Sequence, residues 1–219
     1  MKMSMKLPVL LKEILYPEGA VCLCCGTISD GTRLCPACRE ELLYGDMLSF
    51  WHFRDLSGVS AYSLRPHRGV ARSLVLQLKH GAVSGAADEL ASVLLPLPDG
   101  LSFSPDTVVT FVPMPASRRR ERCIDHGETL ARAFAERLGL PCRPLLARTN
   151  VRAHTQEGLG KTRRAANLKG VFQPLEHIHF PVLLTDDVLT TGTTALRCIE
   201  SLRSAGASEI TVLTATYAI

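Results

Sequence analysis

Apolar residues recur along this chain in two rhythms that alternate. Between Gly69 and Lys79, Val70, Leu74, Val75 and Leu78 fall on one helical stripe. Ala87, Leu90, Ala91 and Leu94 repeat it between Ser84 and Leu95, where Pro96 and Pro98 end the run. Thr129 to Leu138 carries Leu130, Ala131, Phe134, Ala135 and Leu138 on one face, with Gly139 placed to cap its end. Against these stand short continuous apolar runs that read as buried strands: Ala61–Leu64, Val108–Val112 halted by Pro113 and Pro115, Val182–Thr185, and Ile210–Thr214. From Thr107 onward, strand and helix alternate, which predicts an α/β fold with a doubly wound parallel sheet.

In such sheets ligands bind outside the carboxyl ends of the strands. Two loops emerge there, Pro113 to Arg122 and Asp186 to Thr194. The second is the more telling. Val182–Thr185 runs into Asp186 and Asp187, then Val188, Leu189, Thr190, Thr191, Gly192, Thr193 and Thr194, and then the helical pattern Ala195–Leu202, which ends before Gly206. The first backbone N–H groups of a helix lack internal partners and carry the positive end of its dipole, so a small-residue loop there can wrap a phosphate. Two carboxylates would repel a bare phosphate but suit the hydroxyls of a ribose, and they can hold Mg²⁺ through water. The implied ligand is a ribose 5-phosphate unit.

The eight cysteines are unevenly spread. Cys22-x-x-Cys25 and Cys35-x-x-Cys38 offer two thiolate pairs at a spacing that closes a tetrahedral zinc site, with Gly26 available for a knuckle turn. Four thiolates leave no open coordination position, so the zinc is expected to be structural. Cys24 reads as a free thiol beside the site, and Cys123, Cys142 and Cys198 as isolated reduced thiols. A cysteine-rich module over residues 1–50, opening with a short helix near Leu7–Leu15, is therefore expected to precede a larger domain over residues 51–219. Phe50, Trp51 and Phe53 near the junction are expected to pack the module onto that domain rather than to stack bases.

Composition narrows the class. Hydrophobic residues at 46% and charged residues at 21% support a packed core and argue against a disordered chain. The formal net charge of +4 suits phosphate ligands without demanding nucleic acid. The absence of a long apolar run predicts no membrane span, and the weak N-terminal match to an export signal predicts a cytoplasmic protein. Residues from Arg148 to Asn167 are basic, Gly-containing and without periodicity, and read as a mobile flap able to close over a phosphate-rich site.

The segment from Val182 to Thr194 resembles the phosphoribosyl-pyrophosphate (PRPP) signature of the type I phosphoribosyltransferases, departing at Thr185, where an aliphatic residue is usual. Together with the cysteine motif, Val112-Pro113-Met114-Pro115 followed by Arg118 and Arg122, Gln156, Leu159, Arg163, Arg164, Asn167, Gly170 and Phe172, nearly the whole chain is similar to the ComF family. It departs at Cys123-Ile124-Asp125-His126, where the family commonly has Gly-Phe-Asn-Gln. The resemblance implies that Asp186 and Asp187 bind the ribose hydroxyls. It further implies that Thr190 to Thr194 cradle the 5-phosphate, with Val188, Leu189, Pro113 and Met114 also binding PRPP. Mg²⁺ would bridge hydroxyls and pyrophosphate, with Arg118, Arg163 and Arg164 neutralising the leaving group. His126 reads as a polar residue near a helix start, with a role as base the sharper alternative. The resemblance also implies a second function class, an adaptor that handles single-stranded DNA with competence proteins. The acceptor and the oligomeric state are not legible.

Overall fold

The computed structural model describes residues 20–45, 51–56, 58–81, 83–97, 101–115, 118, 124–149 and 171–218, with the backbone alone for 51–56. The expected N-terminal helix, the packing of Phe50, Trp51 and Phe53, Cys123, and the flap beyond Thr149 with Arg163 and Arg164 lie outside this description. Two compact units divide the chain, Met1–Met47 and Leu48–Ile219.

In the first unit, the chain turns back on itself through an antiparallel bridge between Val21 and Ile28 and enters α1 (Pro36–Tyr44), with Pro36 at its first position. Among the described residues of this unit, the enclosed apolar side chains are chiefly Leu34 and Leu42 beside Cys22 and Cys38.

The second unit follows the alternating pattern. Its elements are β1 (Trp51–Leu56), β2 (Val59–Pro66), α2 (Gly69–Leu76), α3 (Gly85–Ala91), β3 (Val108–Phe111), α4 (His126–Leu138), β4 (Leu146–Arg148), β5 (Phe172–Pro174), β6 (Val182–Leu189), α5 (Thr193–Ser204) and β7 (Ile210–Tyr217). The main sheet runs β1-β2-β7-β6-β3, with β2, β7, β6 and β3 mutually parallel and β1 antiparallel at the edge. α2 lies against β2 and β7, α4 against β3 and β6, and α3 bridges the two helices. The opposite face is covered by α5 and the β4-β5 ribbon, around a core that includes Leu184, Val212, Ile199, Leu202, Leu145 and Ile178. Each such side chain contributes about 1.5–3 kcal/mol on burial. The sheet is thus doubly wound, as the alternation predicted.

Three differences from the sequence reading matter for the site. β6 does not stop at Thr185 but runs through both aspartates to Leu189, paired with β7 as far as Tyr217. The helix after Arg68 ends in a π turn, Gln77–Gly81, a feature that often marks functional positions. α4 begins at His126, three residues before the expected start at Thr129, because Asp125 caps it: its Oδ1 accepts from the N–H groups of Gly127 and Glu128 at 3.2 and 3.3 Å. The departure at residues 123–126 therefore supplies a helix cap. Asp125→Ala is expected to cost about 0.5–2 kcal/mol of stability in urea denaturation; no loss would mean that the cap does not set the start of α4.

Candidate functional site

At the carboxyl ends of the parallel strands the chain builds two adjoining recesses. The smaller is a niche of about 40 Å³ lined by Asp186, Val188 to Ala195, and Thr214. Gly192 makes it by adopting φ 71°, a conformation costly for any residue with a Cβ, and so turns β6 into α5 within a few residues. No side chain caps α5, so the N–H groups of its first turn face the niche without a capping partner. Thr191 and Thr193 share a hydroxyl hydrogen bond of 2.9 Å across the turn.

The larger recess, a cavity of about 510 Å³, lies within the usual range for small-molecule sites. It brings together Pro113, Met114, Arg118, Asp186, Asp187 and Thr194, all singled out in the sequence. Val112 N–H reaches Thr185 O at 3.2 Å, continuing the β3-β6 ladder and setting Pro113 beside the acid pair. Lys79 and His80 from the π turn, His126 from the start of α4 and Arg148 from the end of β4 complete the wall. Lys79 and His80 were missed in the sequence, and Arg148 was read there only as the first residue of the basic flap. Lys79-His80-Gly81, a basic pair and a glycine closing an apolar helix, was the available signal for the first two.

Because β6 continues through the acid pair, its two carboxylates serve different layers, since successive strand residues point to opposite faces. Asp186 sits with the niche at the start of α5, and its Oδ1 accepts the Asp187 N–H at 2.9 Å. Burial pushes the Asp186 carboxyl up to about 7, and the like charge of Asp187 adds to this. Asp187, only 5% exposed, turns to the other face. There Lys79 Nζ lies 2.9 Å and His126 Nε2 3.2 Å from its Oδ2, at ion-pair distance but without the alignment of a hydrogen bond. Burial alone would raise the Asp187 carboxyl; His126 and Lys79 outweigh it and hold it below the usual carboxylate range.

Hydroxyls satisfy the strand ends beneath. Thr216 Oγ1 donates to Asp187 O at 3.1 Å and accepts from His67 Nδ1 at 2.8 Å, which places a proton on that nitrogen. Thr185, the departure from the aliphatic pattern, is fully buried and donates to Thr110 O at 3.0 Å, while Thr110 Oγ1 accepts from Leu145 N–H at 3.1 Å.

Magnesium suits the acid pair by donor type, since both carboxylates offer hard oxygens. The geometry is less favourable: Asp187 Oδ2 already faces an ammonium and an imidazole, so Asp187 does not fit direct coordination.

In the first unit, the sulfur atoms of Cys22, Cys25, Cys35 and Cys38 all lie within 4.8 Å of one another, with Cys25 and Cys35 at 3.7 Å. Four thiolates around a tetrahedral zinc with Zn–S of about 2.3 Å stand roughly 3.8 Å apart, so the cluster can bind zinc. Gly26, at φ 73°, makes the knuckle turn, and its N–H meets Cys22 O at 3.0 Å. Cys35 precedes α1 and Cys38 lies in its first turn. Cys24 is outside the group, and burial pushes its thiol up to about 12.

The second unit is thus a doubly wound α/β domain with a small niche and an acid pair at its strand ends. No protein-family model and no curated protein matches the sequence. Among solved structures, the chain is similar to one described as the allosteric regulatory enzyme of purine biosynthesis, at 21% identity and a TM-score of 0.44 over 64% of this chain and 30% of that one. It is similar to glutamine PRPP amidotransferase from B. subtilis at 19% identity and a TM-score of 0.39, over 81% of this chain and 30% of that one. A third similarity is to orotate phosphoribosyltransferase from Mycobacterium tuberculosis H37Rv, at 16% identity and a TM-score of 0.36, over 82% and 96% of the two chains. The chain spans about 30% of the length of the first two. No described helix is long and apolar enough to cross a membrane.

The acid pair carries a pH signature. Folded, Asp186 keeps its proton to a pH of about 7. Unfolded, it releases it near about 4. The native state therefore binds the extra proton between those values, and stability falls as pH rises through that window. Urea denaturation at about pH 5 and about pH 8 is expected to show wild type losing stability over the interval relative to Asp186→Asn. Identical pH dependence in both proteins would contradict the raised proton affinity of this carboxyl.

Proposed function

We propose that this chain is a PRPP-binding, phosphoribosyltransferase-like protein of the ComF kind, with a structural zinc in its N-terminal unit. The observation that carries the reading is the meeting, at one strand end, of the uncapped α5 N-terminus, the Thr190–Thr194 turn and Asp186. A ribose 5-phosphate fits this order of chemistry: phosphate on the backbone N–H groups, diol on the carboxylate. The adjoining cavity with Arg118 and Arg148 suits a diphosphate on the anomeric carbon. Arg163 and Arg164 are assigned to the same anion by the sequence resemblance.

Phosphoribosyl transfer to a nitrogen acceptor breaks the bond from the anomeric carbon to the diphosphate oxygen, which leaves with the electron pair, and forms a carbon–nitrogen bond. Such chemistry needs placement and charge stabilisation rather than a nucleophilic side chain, which matches a site rich in cations and backbone donors. Magnesium would supply further neutralisation of the diphosphate when bound.

Calorimetry with PRPP tests the reading. Asp186→Asn removes a charge-assisted hydrogen bond worth about 1.5–3 kcal/mol, so binding is expected to weaken by roughly ten- to a hundredfold. Equal affinity in wild type and a folded variant, or no PRPP binding by wild type, would overturn it. For the metal, elemental analysis of protein purified without chelators is expected to find about one zinc per chain, lost in Cys35→Ser; zinc-free wild type would contradict the assignment.

A further inference from the structure

Lys79 has no place in the reading above, yet it makes the shortest charged contact to the acid pair, 2.9 Å from Asp187 Oδ2. Its position is built rather than incidental. The π turn sets Lys79 at the end of an apolar helix whose Leu74, Val75 and Leu78 are fully buried, so the backbone that carries it is anchored in the core. The side chain is three-quarters enclosed and the carboxylate more than nine-tenths. In that setting an ion pair is screened far less than on the surface. His126 Nε2 occupies a second direction on the same oxygen.

Resting on the PRPP reading, we propose that Lys79 is the built-in cation of this site. Its ammonium holds the position on Asp187 that a divalent ion would otherwise take, and it presents a positive charge to the diphosphate in the cavity it lines. Asp187 is then a positioning residue for Lys79, and Asp186 is the carboxylate left for the ribose hydroxyls. A metal that entered with PRPP would then find Asp187 Oδ2 already taken by the ammonium and the imidazole. The ammonium is held in place by two neighbouring elements and needs no metal to be recruited from solution.

Two titrations test this on the full chain, with circular dichroism as the folding control. In the first, Mn²⁺ alone is added and water-proton relaxation reports binding. Wild type is expected to show no site dependent on Asp187, and Lys79→Met to gain one that Asp187→Asn removes. An Asp187-dependent Mn²⁺ site in wild type, or no gain in a folded Lys79→Met, overturns the proposal. In the second, PRPP binding is measured by calorimetry with Mg²⁺ and with EDTA. Wild-type affinity is expected to change less than about threefold between the two. Lys79→Met is expected to lose tenfold or more in EDTA and to recover in Mg²⁺, with Lys79→Arg recovering metal-free binding relative to Lys79→Met. A wild type that loses tenfold or more in EDTA, or a Lys79→Met that binds as wild type there, overturns it. If wild type binds no PRPP under either condition, the proposed function falls, and the Mn²⁺ titration still decides whether Lys79 replaces a metal at Asp187.

Discussion

The register of β6 between β3 and β7 is the constraint on which the site depends. Phe111 lies opposite Thr185 on one side and Asp186 opposite Thr214 on the other, so the acid pair lies level with the end of β3 and inside the β7 ladder. A slip of one residue would exchange the faces of the two carboxylates. Asp186 would leave the α5 niche, and Asp187 would lose Lys79 and His126. The buried hydroxyl contacts of Thr185 with Thr110 and of Thr216 with Asp187 hold that register with polar groups inside the sheet, where an unpaired group would be costly.

Two adjacent aspartates in a nearly enclosed strand end call for compensation, and the structure divides it unevenly. Asp187 has two basic neighbours and stays ionised, while Asp186 has a backbone N–H and a rising affinity for its proton. The asymmetry follows from the pleat, which gives each carboxylate a different layer of the fold. It also separates their work: one faces the turn that precedes α5, the other organises cations on the α2–α4 side.

Local chemistry was legible in the sequence, and so, through the strand-end rule, was the meeting of the loop after Pro113 with the loop after Asp186; the approach of Lys79 and His80 was not. The Thr/Gly turn and the Cys-x-x-Cys pairs announce themselves because their function depends on neighbours in the chain. The strand status of Asp186 to Leu189 was hidden, since aspartates are poor strand formers and read as the start of a loop; pairing with β7 overrides that preference. β4 and β5, of three residues each, are too short to show a period. Lys79 was hidden because nothing near it in sequence indicates that a distant strand end supplies its partner. His126 was weighed as a base and set aside as a helix-start residue; it occupies the helix start and lies on Asp187.

On the proposed function, the turn from β6 into α5 holds the 5-phosphate of a ribose. Amide NMR of the deuterated protein, titrated with ribose 5-phosphate, reads it directly. The account predicts shifts concentrated on the N–H groups of Thr190 to Ala195 and on Asp186 and Asp187. Saturating ligand that leaves those amides unmoved, or that moves only residues of α3 and α4 such as Asp88, Glu128 and Glu136, which line a separate recess, would contradict it.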